Sequence, residues 1–80
     1  LFYVYILYSA SRDRFYVGST NDVAGRVSRH NSSKYGYTRT GRPWQLVYQE
    51  DYDDRSTAVR RERQIKNWKS AEAIRQLINW

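Results

Sequence analysis

Two apolar, β-rich runs open the chain, Phe2 to Ser9 and Phe15 to Thr20, with the polar stretch SASRDR between them. That pattern predicts a β-hairpin. Side chains alternate across a strand, so register decides which residues share a face. A loop of even length sets odd positions of the first strand beside even positions of the second. Tyr5 then faces the same side as Tyr16 and Gly18.

The next stretch, STNDVAGRVSRHNSS, begins with Thr20, Asn21 and Asp22, all good N-cap residues. It predicts a helix from about Asp22 to Asn31. Val23, Arg26, Val27 and His30 fall on one stripe of that helix, with Gly25 and Ser28 on the other side. The segment NSSKYGYTRTGRP has no sustained period and reads as an extended loop. A third strand follows, Trp44 to Glu50. DDRST then caps a second helix over about Ser56 to Trp68, and a third runs from Ser70 to about Asn79. With no repeats, low-complexity segments or internal linkers, residues 1–80 form one small α/β domain. Its expected architecture is a three-stranded antiparallel sheet flanked by about three helices.

Composition sharpens this picture in two ways. Folding a chain of 80 residues buries only about 60% of the surface its unfolded form exposes. Its eight Tyr, three Trp and two Phe supply bulk for so small a core, since each ring buries roughly 150–250 Å². The absence of cysteine excludes a disulfide framework and a thiolate metal site. No apolar run approaches the roughly 20 residues of a membrane span, and no secretory pattern is present. A soluble cytoplasmic protein is the expectation. The chain starts at Leu1 and contains no methionine, so an initiator residue or short leader can precede it.

Charge carries more information. Fourteen Lys and Arg against eight Asp and Glu give a net +6. Such a surplus on a small domain favours a polyanionic partner, most often nucleic acid, through phosphate neutralisation. The bland alternative is a merely basic, solvated surface.

Some charged residues also stand where apolar ones belong. Arg26 and His30 sit among the valines of the first helix. At about 100° per residue, Glu62 falls midway between Val59 and Ile65 on the second helix, inside its apolar stripe. Arg60, Arg63 and Gln64 point away. Burying an unpaired carboxylate costs several kcal/mol, so Glu62 needs a cation, hydrogen bonds or a metal ion. Each residue has an ordinary explanation: tyrosines are commonly core, Arg26 and Glu62 suit a structural salt bridge, and a lone helix histidine usually caps or packs. Their joint placement on the inward faces of three elements favours a site.

The same residues resemble the GIY-YIG nuclease superfamily, and within it the short stand-alone bacterial proteins. YVY at 3–5 corresponds to the first signature triplet and YVG at 16–18 to the second. Arg26 stands at the family's helix arginine, and His30 matches a histidine many members carry. TAVRRERQIKNWKS resembles the helix that supplies the family's metal-binding glutamate, here Glu62. GRPWQLVY resembles the strand before it. Tyr3 and Val4 replace Gly and Ile in the first triplet, and Val17 replaces Ile in the second. These exchanges keep β-character and both key tyrosines.

The resemblance implies a GIY-YIG-like fold and a metal-dependent endonuclease hydrolysing phosphodiester bonds, with DNA favoured over RNA. It implies catalytic roles for Tyr5, Tyr16, Arg26, His30 and Glu62, with Glu62 the ligand of one Mg²⁺ or Mn²⁺ ion. Tyr5 is the candidate general base and Tyr16 orients water or phosphate, although their duties can be exchanged. A phenol with pKa about 10 must have that value lowered by nearby positive charge or pass its proton onward, for instance to His30. Gly18 is expected to leave room for a phosphate or water near the strand. Nucleic-acid contacts are expected from Lys34, Arg39 and Arg42 of the basic loop and from Lys66 and Lys69, with Tyr35 and Tyr37 available to stack on bases. Members that cut chosen sequences usually add a DNA-binding module, absent from these residues, so activity that is weak, broad or dependent on a protein partner is expected. Two rival readings remain: a non-catalytic nucleic-acid-binding module on the same scaffold, and an interaction protein with a buried Arg26–Glu62 pair.

Overall fold

The computed structural model describes residues 1–32, 38 and 40–80. Its elements run β1 (Phe2–Ser9), β2 (Arg14–Thr20), α1 (Val23–Ser32), β3 (Trp44–Tyr52), α2 (Arg55–Asn67) and α3 (Ala71–Leu77). The three strands form one antiparallel sheet in the order β2-β1-β3. The central strand is therefore covered on both sides. This explains why Val4, Tyr5, Ile6 and Leu7 form an unbroken apolar run, each at most 1% exposed.

Alternation along β1 divides the core into two layers. Val4 and Ile6 join Val17, Ala58 and Ile65 on the face covered by α2 and α3. Tyr5 and Leu7 join Trp44 on the opposite face, where Val23 and Val27 of α1 pack against them. Each fully buried aliphatic chain contributes about 1.5–3 kcal/mol. The two-layer arrangement is what a strand without a polar face requires.

The helix boundaries follow local chemistry. Asp54 caps α2, its carboxylate accepting from the Thr57 amide at 2.7 Å. Ser70 caps α3 by accepting from the Ala73 amide at 3.1 Å. Both satisfy amides that a helix start leaves orphaned. These starts lie within a residue of the predicted ones, and the last helix ends earlier, at Leu77.

β3 departs most from the sequence-based expectation, because it continues through Tyr52 and carries a bulge. Its pairing with β1 runs Ile6 to Tyr48 and then Leu7 to Leu46, leaving Val47 as an extra residue. One extra residue reverses the phase of the alternation. Trp44 consequently turns to the α1 layer, while Tyr48 and Tyr52 turn to the α2 layer.

The extension also brings Glu50 beneath α2. Its carboxylate accepts from Tyr48 at 2.5 Å and Tyr52 at 2.6 Å, and Arg61 grips both oxygens at 3.0 and 3.1 Å. Burial pushes the Glu50 carboxyl up, but the bonds from Arg61 and the two phenols outweigh it and hold it below the usual 4.5. Tyr48, buried beside that carboxylate, is pushed up to about 12. Glu50→Ala is expected to cost about 3 kcal/mol in urea denaturation, because it strands a guanidinium only 23% exposed and two phenols. Since Glu50's folded value is the depressed one, the wild-type advantage is complete above about pH 4.5. It disappears as pH falls through the lower folded value.

Candidate active site

The hairpin register sets Tyr5 opposite Gly18 and Leu7 opposite Tyr16. Four residues, Ala10 to Asp13, separate the strands, so the loop is of the even kind. Tyr5 and Tyr16 share the α1 face as expected, ring centroids 6.2 Å apart and tilted by 44°. His30 of α1 closes the group, its ring 5.9 Å from that of Tyr5 and 4.6 Å from that of Tyr16. The Tyr5 hydroxyl lies 2.9 Å from His30 Nε2, and Tyr5 also shares a hydrogen bond with Tyr16.

His30 is held from behind. Its Nδ1 lies 2.9 Å from Thr38 Oγ1. Asn31, the next residue, ties the end of α1 to β3 by accepting from the Trp44 amide and donating to the Trp44 carbonyl. Trp44 Nε1 donates to the carbonyls of Thr38 and Thr40. Burial, then the like charges of Arg26 and Arg29, hold His30 below its ordinary value of 6.5, so it is neutral at pH 7.

Gly18 has a different role from the one its sequence position suggested. A Cβ built there would lie 2.6 Å from the Tyr5 hydroxyl oxygen and 2.7 Å from its ring carbon Cζ. The missing side chain leaves space for the Tyr5 phenol itself, not for a phosphate or water. The reason is the register, which sets residue 18 directly across from residue 5.

Tyr5 is also not made acidic by its neighbours. Burial and the proximity of Tyr16 raise its pKa well above 10, and the charge of Arg26 only partly opposes them. Of the two routes open to a phenol base, lowering the pKa is not the one present. An outlet for the proton is, in the contact with His30.

Glu62 belongs to the other layer. Helix α2 lies on the face of Val4 and Val17, and Glu62 reaches outward to the β2 edge. There its Oε1 accepts from Ser19 Oγ at 2.5 Å, and its Oε2 pairs with Lys66 Nζ at 2.6 Å. Lys66 also lies 5.9 Å from the centroid of the Tyr16 ring. The two halves of the site thus meet around the edge strand, through Lys66 and through the fields of Glu62 and Arg26, both felt by Tyr5. Arg26 is exposed at the margin of its helix stripe and does not pair with Glu62. The buried Arg26–Glu62 salt bridge is therefore absent. Glu62, whose side chain is 17% exposed, keeps access to solvent.

The donor set fits one hard cation that keeps most of its water. Glu62 offers carboxylate oxygens, and among the described residues no group of three or more His, Asp or Glu could hold a metal. A Mg²⁺-type ion needs few protein ligands. The exposed Lys66 pair is an i,i+4 contact worth about 0.5 kcal/mol, so a divalent ion can displace the ammonium.

Of the expected nucleic-acid contacts, Lys34 and Arg39 lie outside the described residues, as do Tyr35 and Tyr37. Arg42 is exposed and donates to the Asn31 carbonyl at 3.2 Å. Lys66 and Lys69 line, with Arg14, a groove of about 470 Å³ along β2. Three residues at the site escaped the sequence reading. Ser19 follows Gly18 and turns to Glu62, Thr38 backs His30, and Arg55 lies two helical turns before Glu62 on the same stripe. The last was legible from helical spacing; Ser19 needed the register.

A three-stranded sheet with paired tyrosines, a helix histidine and arginine, and a helix glutamate at its edge defines a small α/β domain with a polar site around its edge strand. The chain belongs to the GIY-YIG family, whose catalytic domain matches residues 1–76. It is similar to UPF0213 proteins of bacteria. One from Syntrophus aciditrophicus is 45% identical over 78 residues, covering 95% of this chain and 87% of the relative. Another, from Staphylococcus haemolyticus, is 38% identical over 76 residues, covering 94% and 92%. The solution NMR structure of a UPF0213 protein from Bacillus halodurans superposes with a TM-score of 0.61 at 34% identity, covering 98% of this chain and 82% of that one. Family membership supports an endonuclease-type function. Among the described residues no helix is long and apolar enough to cross a membrane.

Proposed function

We propose that the domain is an endonuclease that hydrolyses phosphodiester bonds in DNA, with one Mg²⁺ or Mn²⁺ ion held by Glu62. The observation that carries this reading is the Tyr5 hydroxyl 2.9 Å from His30 Nε2, within the fields of Arg26 and Glu62. A bound ion would supply Lewis-acid polarisation of the phosphate and charge for the leaving oxygen.

The chain's own residues handle the proton and the developing charge. With its proton on Nδ1, directed at Thr38 Oγ1, neutral His30 presents the Nε2 lone pair to Tyr5. As a phenol oxygen of the Tyr5–Tyr16 pair takes a proton from the attacking water, Tyr5 passes one to Nε2. The high pKa of Tyr5 is then no obstacle, because no standing phenolate is required. Tyr16, half-buried where Tyr5 is buried, orients the water or the phosphate. Arg26, exposed beside the pair, offsets charge growing on the phosphate oxygens with its forked donors.

The test is nicking of supercoiled plasmid by purified protein with Mg²⁺ or Mn²⁺. Tyr5→Phe and Arg26→Ala are each expected to lower the rate by about 100-fold or more while thermal unfolding stays cooperative. The wild-type rate should fall on an acid limb centred below pH 6.5, because His30 must be neutral to accept the proton and its pKa is depressed. Metal-independent, salt-sensitive DNA binding with no cleavage under any metal would instead establish the binding-module reading.

A further inference from the structure

Beside the Glu62 corner, a cleft of about 140 Å³ opens between the N-terminal ends of α1 and α2. Its walls are Ser19, Asn21 and Arg26 on one side and Arg55 and Ala58 on the other. Arg55, Ala58 and Glu62 fall on one stripe of α2, and Ser19, which lines the cleft, bonds Glu62, so the cleft adjoins the proposed metal corner.

Two features mark it as an anion site. Arg26 and Arg55 come from different helices, yet both face the same space. Neither forms an ion pair or a side-chain hydrogen bond among the described residues. Two guanidinium-bearing side chains on the walls of one hollow are available to an anion, and their forked donors match phosphate oxygens. The cleft is well below the size of a pocket for a drug-sized ligand. It suits a single phosphate group with some water.

We propose that this cleft is a second phosphate subsite, and that Arg55 binds there the phosphate next to the scissile one on the same DNA strand. Naming that anion as a strand phosphate rests on the hydrolase reading. Arg26, which lines the cleft and whose charge Tyr5 feels, then lies between the two phosphates, and Arg55 sets the register of the strand over Glu62.

The experiment is carried out on the full chain in EDTA. Anisotropy of a short fluorescein-labelled duplex is measured over a series of NaCl concentrations, and inorganic phosphate is titrated against the Arg Nε–H NMR signals. Arg55→Gln is expected to weaken duplex binding about tenfold at low salt and to reduce the slope of log K against log salt by about 1. Arg60→Gln, also on α2 but away from the cleft, removes the same charge and should leave the slope almost unchanged. Phosphate should shift the signals of Arg26 and Arg55 together, and lose its effect on Arg26 in Arg55→Gln. Equal slopes for the two variants, or no response of Arg55 to phosphate, overturn the subsite. Because no metal is present, these results do not depend on cleavage. A wild type that nicks plasmid while Arg55→Gln binds normally refutes the subsite alone, and Arg55-dependent binding without nicking under any metal refutes the hydrolase alone.

Discussion

Glu62→Ala should lose magnesium-dependent plasmid nicking by at least about a thousandfold, or ~4 kcal/mol of transition-state stabilisation, while the protein remains folded. Glu62 is the carboxylate that Ser19 and Lys66 hold at the β2 edge, and no cluster of three ligating residues stands behind it among the described residues. Removing it would remove the carboxylate proposed to hold the ion. The fold has little at stake. Lys66 is about half exposed and turns to water, and Ser19 lies at an edge, so unfolding free energy should change by no more than about 1 kcal/mol. Glu62→Gln keeps the shape and the Ser19 contact while discarding the charge. It should be as inactive as the alanine variant. Undiminished nicking by either variant would remove Glu62 from the mechanism. A loss of about 3–5 kcal/mol in stability would mark it as a buried structural charge instead.

Gly18→Ala should damage both stability and activity, although it adds only one methyl group. The new Cβ would meet the Tyr5 hydroxyl and Cζ at 2.6 and 2.7 Å. Tyr5 cannot step back easily, being buried between Leu7, Trp44 and α1 and tied to His30. Overpacking of this kind costs about 1–3 kcal/mol. Displacing the phenol breaks its bond to His30, so nicking should fall by about 100-fold. Denaturant unfolding and the plasmid assay read the two effects separately. The double variant Gly18→Ala, Tyr5→Leu provides a control, because trimming the ring removes most of the clash. Its stability should exceed the sum of the single effects by about 1 kcal/mol or more. If Gly18→Ala is as stable and active as the wild type, the close packing of residue 18 on Tyr5 does not matter.

Both expectations depend on features that differ in how visible they were along the chain. The hairpin was legible because two β-rich apolar runs, YVYILYS and RFYVGST, flank a polar turn, and the four-residue loop is of the even kind that sets Tyr5 and Tyr16 on one face. The helices were legible because Asp54 and Ser70 are capping residues placed just before periodic apolar stripes. The pairing of Tyr5, Tyr16 and His30 followed from those two periods alone. Glu62 also stood out, since an acid midway between Val59 and Ile65 has to be explained.

Other features could not be read in one dimension. The Arg26–Glu62 pair of the rival reading does not form, because the two side chains belong to different layers. The carboxylate therefore finds Ser19 on the edge strand and Lys66 one turn along its own helix. The Val47 bulge, which sends Trp44 and Tyr48 to opposite faces, left no mark in the residue pattern. The pairing of Glu50 with Arg61 joins β3 to α2 and had no counterpart in the sequence pattern. That Arg55 and Arg26 line one cleft depends on how the N-terminal ends of two helices meet, although Arg55's place on the Glu62 stripe was legible from helical spacing.

The sequence by itself determined the main elements, their caps and the residue types available for chemistry, because each depends on neighbours within a few positions. The tertiary structure alone decided which charge meets which, what fills the space above Gly18 and where two arginines converge. Those outcomes depend on how the layers stack and how the edge strand is reached, and they come from contacts between residues distant along the chain.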